Sequence, residues 1–346
     1  MSDRPGSGRL IGRIAGTYPL AETYHLPALQ SEMEALTIRV SRLVPEATGL
    51  TLSGSPSTAV IGRAEWVERN VASFSHLIEP ARHQIEEKAE ERGAGARSMA
   101  VLASKVLQAE TVAVLSVLAR RVLGQYELVL PTGEAGDVVT YVGPNILQLE
   151  RVHQFRPAEF RFWVALHELT HRAQFQGVPW LRDYFVGLVM ELIEQSKPES
   201  GRLSKVIGEL SARRQLGENL IDEQGLFGLF ATSGQKAVMD KVQALMSLLE
   251  GHGHVVMDRV GAEHLKSQAR MSRTLKSRRQ DKRTAAFFRI TGLEMKLKQY
   301  EAGGSFIHVV EREAGWETVS LAFRGASSLP TLEEIEDPVA WLRRVA

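Results

Sequence analysis

The chain has 346 residues, of which 44% are hydrophobic and 24% are charged, and its formal net charge is +1. This length permits a substantial core in one large domain or two smaller ones, and the balanced charge gives no reason to expect nucleic acid or an anionic membrane as the main partner. Because the chain has no cysteine, disulfides, Cys-ligated zinc, iron–sulfur clusters and thiol nucleophiles are excluded. A transition metal would have to be held by carboxylates and by some of the ten histidines.

The N-terminus and the apolar runs give no sign of a secreted or membrane protein. The segment Met1–Leu20 contains Gly and Arg and has no apolar core, so it does not match a secretory signal. The best apolar run, around Val112–Ala119, is short and stops at Arg120, whereas a membrane-spanning helix needs about 20 apolar residues. We therefore expect a cytoplasmic protein without a membrane partner.

In the first half of the chain, the spacing of apolar residues predicts helices and one small sheet. Helices are predicted at Arg63–Ile78, which Pro80 would end, and at Ser98–Leu123. Two β-prone segments, Glu127–Leu130 and Asp137–Val142, lie on either side of a turn that contains Pro and Gly. They predict a small β-hairpin.

The second half is also predicted to be helical, so the fold class is mainly α (α+β). Helical spacing predicts three long helices, of which the last would end at Gly261: Pro157–Phe175, Trp180–Gln195 and Lys236–Val260. Near the C-terminus, two patterns typical of helix starts occur, a capping box at Thr331–Glu334 and an N-cap followed by proline at Asp337–Pro338. We expect one continuous domain over residues 1–346. The alternative is an N-terminal helical subdomain over 1–125, followed by a catalytic part over 126–346.

The segment His167-Glu168-Leu169-Thr170-His171 lies in the helix predicted after Pro157. His167 and His171 are one helical turn apart, so both imidazoles can reach a single ion. Glu168 is one step round the helix, where its carboxylate can contact a water on the metal without being a ligand. It can accept a proton as that water attacks a carbonyl and return the proton to the leaving amine. The sequence therefore predicts a zinc ion held by His167 and His171, with Glu168 as the catalytic base.

A pair of surface histidines on a solvated helix is the alternative interpretation. Phe160, Val164 and Phe175 share the helix face of the two histidines, and unpaired imidazoles on such an apolar stripe would be costly. The apolar stripe therefore favours the metal site. Arg172 departs from the usual pattern, in which the residue after the second histidine is uncharged.

The spacing leaves the third protein ligand open between two carboxylates, Glu191 and Glu250. Each is a lone carboxylate in an apolar helical run, so each is expected to have a buried partner; a salt bridge to an arginine is the alternative role for either. Glu250 is favoured because His254 lies one turn further along the same face. His254, the nearby His252 and Glu191 are the candidates for an alternative ligand or for a group that supports a ligand.

The motif resembles the zincin motif, and a carboxylate as third ligand would make it similar to the gluzincins, thermolysin among them. From about Arg63 to the C-terminus, the chain also resembles a bacterial family of zincin-like metallopeptidases of uncharacterised activity. Its members are labelled as candidate hydrolases, in some cases with a link to the biosynthesis of a deazaflavin coenzyme. The segments that carry the resemblance are Arg63–Val67, Val122–Tyr126, Gly143–Ile146, His167–Arg182, Ser247–His252, Lys298–Tyr300 and Leu329–Thr331.

The resemblance implies a zincin-like helical domain with a small β-hairpin or sheet before the motif helix. It also implies Zn2+ as cofactor, with His167, His171 and Glu250 as ligands, Glu168 as the base, and a peptide or small amide as substrate. Gluzincins commonly have Asp four residues after the ligand Glu, where it can orient a ligand histidine; here His254 occupies that position. The spacing in thermolysin-like enzymes keeps Glu191 as the alternative ligand.

Zincin-type sites bind an extended peptide against the edge of a strand, where main-chain hydrogen bonds hold it. The strand before the motif helix, Asp137–Val142, is therefore the expected substrate edge. Three functions remain open: a metallopeptidase, a zinc hydrolase of a small amide, and a non-catalytic scaffold or binding protein stabilised by zinc. The presence of Glu168 favours the first two, because a set of ligands alone would not require it.

The segment from Lys266 to Lys298 contains eleven basic residues and two acidic ones. A nucleic-acid surface is one interpretation, but the segment lacks the interleaved aromatic residues on which bases stack. A solvated helix face is favoured, and the charge could also guide an acidic substrate towards the site. The sequence does not indicate an oligomeric state.

Overall fold

The computed structural model describes residues 11–12, 14–91, 109, 111–128, 136–194, 233–279 and 295–345. The chain forms two compact units, of which the first contains Met1–Gly177 with Glu263–Ser267 and the second contains Val178–Ala262 with Gln268–Ala346. The described residues are mainly helical, with one three-stranded sheet, which confirms the predicted mainly α (α+β) class. The expectations of one continuous domain and of a boundary near residue 125 stay predictions.

The described residues of the first unit form helices and the three-stranded sheet. In chain order its elements are α1 His25–Thr48, β1 Ser57–Ile61, α2 Arg63–Glu91, β2 Gly124–Tyr126, β3 Val138–Val142, α3 Gly143–His153 and α4 Pro157–Gly177. Helix α1 buries Leu29, Met33, Val40 and Val44 at successive spacings of four, seven and four residues, the pattern of one apolar helix face. This face packs against α4, the helix that contains the His167–His171 motif.

The predicted helix at Arg63–Ile78 is confirmed, but the prediction that Pro80 ends it is wrong, because α2 continues to Glu91. Proline removes one backbone hydrogen-bond donor. A long helix can still keep the backbone hydrogen bonds of the turns before and after the proline. Pro45 lies inside α1 in the same way. The helix predicted at Ser98–Leu123 is helical over 111–118 and not over 119–123; its first part, apart from residue 109, lies outside the described residues.

The sheet has the strand order β1-β3-β2, with β3 parallel to β1 and antiparallel to β2. The antiparallel partner of β3 is thus confirmed, but it lies at Gly124–Tyr126 rather than at Glu127–Leu130, and residues 129–135 lie outside the described residues. Because β3 is paired on both sides, the prediction that Asp137–Val142 is the substrate edge is wrong. Its residues Val139–Val142 are all buried, as expected for a central strand.

The second unit is built from helices. They are α5 Leu181–Glu194, α6 Ser233–His264, α7 Gln268–Arg279, α8 Met295–Ala314, α9 Leu332–Glu336 and α10 Pro338–Val345, with 3-10 turns at Trp316–Phe323 and Ala326–Ser328. The capping box at Thr331 is confirmed, as is the helix that begins at Pro338. Among the described residues, no helix is both long and apolar enough to cross a membrane.

The helices predicted at Trp180–Gln195 and Lys236–Val260 correspond to α5 and α6. Helix α6 starts three residues earlier than predicted and continues through Gly261 to His264. The prediction that Gly261 ends it is therefore wrong. A glycine in a helix interior costs only about 1 kcal/mol of stability relative to alanine. A helix of 32 residues can tolerate that cost.

Helices α6 and α8 approach each other at two glycines. A Cβ on Gly303 would lie 1.8 Å from the carbonyl oxygen of Ser247, and a Cβ on Gly251 would lie 2.2 Å from the carbonyl carbon of Gly303. No side chain fits between backbones at these distances. The approach therefore requires glycine on both helices, and it fixes the segment of α6 that carries Glu250.

We expect Gly303→Ala to lower the free energy of unfolding by at least about 2 kcal/mol, because the two backbones must separate to admit the methyl group. The matched control is Gly304→Ala, since a Cβ at Gly304 meets nothing within 4 Å. That change should be neutral or stabilising by roughly 0.5–1 kcal/mol, because alanine is the better helix former. Thermal unfolding followed by circular dichroism measures both, and equal midpoints would contradict the close approach.

Candidate metal centre

Helix α4 carries the two histidines and holds them rigidly. It begins at Pro157, as predicted, and ends at Gly177, and most of the residues between Phe160 and Gln174 are buried. Close packing of so many buried residues restricts the movement of the helix. His167 and His171 are half-buried in the middle of this helix.

The imidazole rings of His167 and His171 lie next to each other, nearly at right angles. Their Nε2 atoms are 3.2 Å apart, and their rings are 4.5 Å apart at an angle of 81°. Two nitrogen ligands, each 2.0–2.1 Å from a tetrahedral zinc ion, would be separated by about 3.3 Å. The observed separation therefore fits an ion bound by both Nε2 atoms.

Gln174 determines which nitrogen of His171 carries the proton. The Nδ1 of His171 is 2.9 Å from Oε1 of Gln174, and a carbonyl oxygen can only accept, so Nδ1–H is the donor. Nε2 then keeps its lone pair for a metal ion. Gln174 is fully buried, and sequence reasoning missed its role, although its position three residues after His171 on the helix was the available signal.

Glu168 lies against strand β2. Its side chain is only 5% exposed, and its Cγ, Cδ and Oε1 atoms surround the position that a Cβ on Gly124 would occupy. Burial raises the pKa of the Tyr141 phenol well above its usual value, a hydrogen bond with Thr37 opposes this, and the Glu168 charge raises the pKa further. Tyr141 thus stays neutral.

Arg172, the departure from the usual motif, is fully buried and structural. Its Nε and Nη2 donate to the Asp137 carboxylate at 2.7 and 2.6 Å, and Nη2 also donates to the carbonyl oxygens of Ser53 and Gly54 at 2.9 and 3.2 Å. It therefore ties α4 to the residue before β3 and to the loop before β1. A buried guanidinium is tolerated where a carboxylate pairs its charge in this way.

In the second unit, Glu250 is a half-buried residue of α6. His254, one turn further along, has its Nε2 3.7 Å from a carboxylate oxygen of Asp258. His252 is 1% exposed and stacks on Trp316, with the ring centroids 5.7 Å apart at an angle of 10°. Because two residues along a helix correspond to about 200° of rotation, His252 faces away from Glu250.

Glu191, the other carboxylate predicted from the sequence, is a half-buried residue of α5. Burial raises the pKa of Tyr184, and the charge of Glu191 raises it further. Tyr184 is seven residues before Glu191, so the two lie on the same helix face. Glu191 thus has a neighbour within its own helix.

Among the described residues, His167, His171 and Glu250 are the group that could hold a metal ion. Glu191, His252 and His254 are not part of this group. Two imidazoles and one carboxylate are a ligand set found in catalytic zinc sites, where the fourth position stays open for water or substrate.

The chain is similar to known proteins along most of its length. A family model described as zincin-like metallopeptidase matches residues 13–342. A solved structure from Chloroflexus aurantiacus, described as a candidate hydrolase with a novel fold, is 30% identical, with a TM-score of 0.70 over 99% of this chain and 98% of that chain. No curated protein matches the chain.

We expect Gln174→Ala to weaken zinc binding by about 10–100-fold, the usual effect of removing a group that orients a ligand histidine. Gln174→Glu keeps an oxygen acceptor for Nδ1–H and should retain most of the affinity. Gln176→Ala is the matched control, because Gln176 donates to the Tyr126 hydroxyl at 2.8 Å. Competition with a chromophoric chelator measures the three affinities, and equal values for Gln174→Ala and the unmodified protein would refute the assignment.

Proposed function

Because the chain belongs to the zincin-like metallopeptidase family, we propose that it is a zinc-dependent hydrolase that cleaves peptide or small amide bonds. The observation that carries the proposal is the pair of neighbouring imidazoles of His167 and His171, whose Nε2 atoms are separated by 3.2 Å. Zinc suits this site because imidazole and carboxylate are ligands that it accepts. Without cysteine in the chain, the protein ligands come from such groups.

Glu250 is the proposed third ligand, with His167 and His171 as the first two. Its membership of the group that could hold a metal ion supports this assignment. The close approach of α6 and α8 at Gly303 supports it further, because it holds the backbone of α6 in place around Glu250. A ligand on a rigid helix gives the geometric precision that a catalytic metal site requires.

Glu168 is the proposed general base. Zinc held by His167, His171 and Glu250 would act as a Lewis acid that polarises the substrate carbonyl and makes an attacking water more acidic. The Glu168 carboxylate accepts a proton from that water as the new C–O bond forms, and it delivers the proton to the leaving amine as the C–N bond breaks. The burial of Glu168 excludes bulk water from the carboxylate, which keeps this proton transfer within the site.

The outer strand β2 is the proposed binding edge for an extended substrate. In the described part of the chain β2 is the end strand of the sheet, and extended peptides bind along such strands through main-chain hydrogen bonds. Its first residue, Gly124, contacts the side chain of Glu168. A peptide held along β2 would therefore pass beside the proposed base.

We expect Glu250→Ala to release zinc, because a site with two protein ligands loses most of its affinity. Glu191→Ala is the matched control. It removes a half-buried helical carboxylate of the same size, but it should leave zinc bound and change only local packing. Metal analysis after dialysis measures both variants. Zinc retained by Glu250→Ala and lost from Glu191→Ala would show that Glu191 is the ligand.

We expect Glu168→Gln to keep zinc and thermal stability while turnover on a peptide library falls by about 10²–10⁴-fold, the usual contribution of a positioned general base. The change retains size and shape but removes the ability to accept a proton. Unchanged turnover would mean that the cleavage arises from another site or a contaminant. No turnover in either zinc-loaded form would favour a non-catalytic scaffold.

A further inference from the structure

We propose that Gly124 is a positioning residue for Glu168, because the space left by its missing side chain fixes the carboxylate in its working position. The inference rests on the proposed role of Glu168 as general base. It concerns a residue of strand β2 that carries no reactive group.

The Glu168 side chain fills the volume that any larger residue at position 124 would need. An ideal Cβ on Gly124 would lie 2.6 Å from Cγ, 2.8 Å from Cδ and 2.8 Å from Oε1 of Glu168. All three distances are shorter than ordinary van der Waals contact between such atoms. With alanine at position 124, either the strand or the Glu168 side chain must move.

Strand β2 is held in place by contacts before and after Gly124 in the sequence, so it cannot easily move away from Glu168. On one side, the amide of Val142 donates to the carbonyl oxygen of Leu123 at 2.9 Å. On the other, the hydroxyl of Tyr126 accepts a hydrogen bond from Gln176 of α4, and its ring stacks on Phe175 at 6.5 Å. Strand β2 is thereby tied both to β3 and to the helix that carries Glu168.

The Glu168 side chain is the part that would yield. A side-chain torsion held about 30° away from a staggered rotamer costs roughly 0.5–1.5 kcal/mol, whereas displacement of β2 would break the hydrogen bonds of the sheet. A change of rotamer would move the carboxylate by an ångström or more, and a misplacement of about 1 Å can lower a rate about 10²-fold. Glycine at position 124 therefore contributes to the site by being small.

The test compares Gly124→Ala with Gly62→Ala. A Cβ at Gly62 meets nothing within 4 Å, and Gly62 lies next to β1 in the same unit, so it is a matched control. We expect crystal structures to show the Glu168 carboxylate displaced in Gly124→Ala alone. Zinc content should be unchanged, kcat should fall about 10–100-fold and KM should change little. A carboxylate in its original position would overturn the proposal.

A double-mutant cycle separates positioning from general destabilisation. If Gly124 acts through Glu168, the change Glu168→Gln should lower kcat much less in the Gly124→Ala background than in the unmodified protein. Equal losses in both backgrounds would refute the inference, even if Glu168 is the base. If Glu168→Gln has no effect in the unmodified protein, the proposed function fails instead, and the crystallographic position of the carboxylate still decides whether Gly124 holds it.

Discussion

The separation of one helical turn between His167 and His171 is the constraint on which the rest of the site depends. It brings two Nε2 atoms to 3.2 Å, but only if the helix is rigid and both rings hold the correct orientation. Helix packing supplies the rigidity, and the hydrogen bond from His171 to Gln174 fixes the tautomer. The surrounding structure keeps this turn of α4 rigid and its two imidazole rings in the correct orientation.

Each neighbour of α4 in the first unit contributes in a different way. Helix α1 covers it with an apolar face, and Arg172 ties it through Asp137 to the start of β3. Strand β2 lies on the side of Glu168, where Gly124 leaves room for the carboxylate. Charge, apolar surface and the absence of a side chain thus act on different residues of the same helix, which also carries His167 and His171.

The sequence predicted those features that depend on local spacing and missed those that depend on distant contacts. Helix α4 and the His167–His171 pair follow from periodicity within 21 residues. The error over β3 arose because β1, its second partner, lies about 80 positions earlier in the chain and no local pattern shows that pairing. The ion pair of Arg172 with Asp137 and the contact of Gly124 with Glu168 were missed for the same reason, since these partners are set by tertiary packing. Pro80 shows the opposite error, in which a local rule was outweighed by the long helix around it.

In the proposed site, a zinc ion is bound by the Nε2 atoms of His167 and His171. X-ray absorption at the zinc edge, on protein loaded with one equivalent of zinc, tests it most directly. We expect two imidazole ligands at about 2.0–2.1 Å together with oxygen ligands, and the loss of one imidazole in each of His167→Ala and His171→Ala. Coordination by oxygen alone, or the same spectrum in both variants and the unmodified protein, would contradict it.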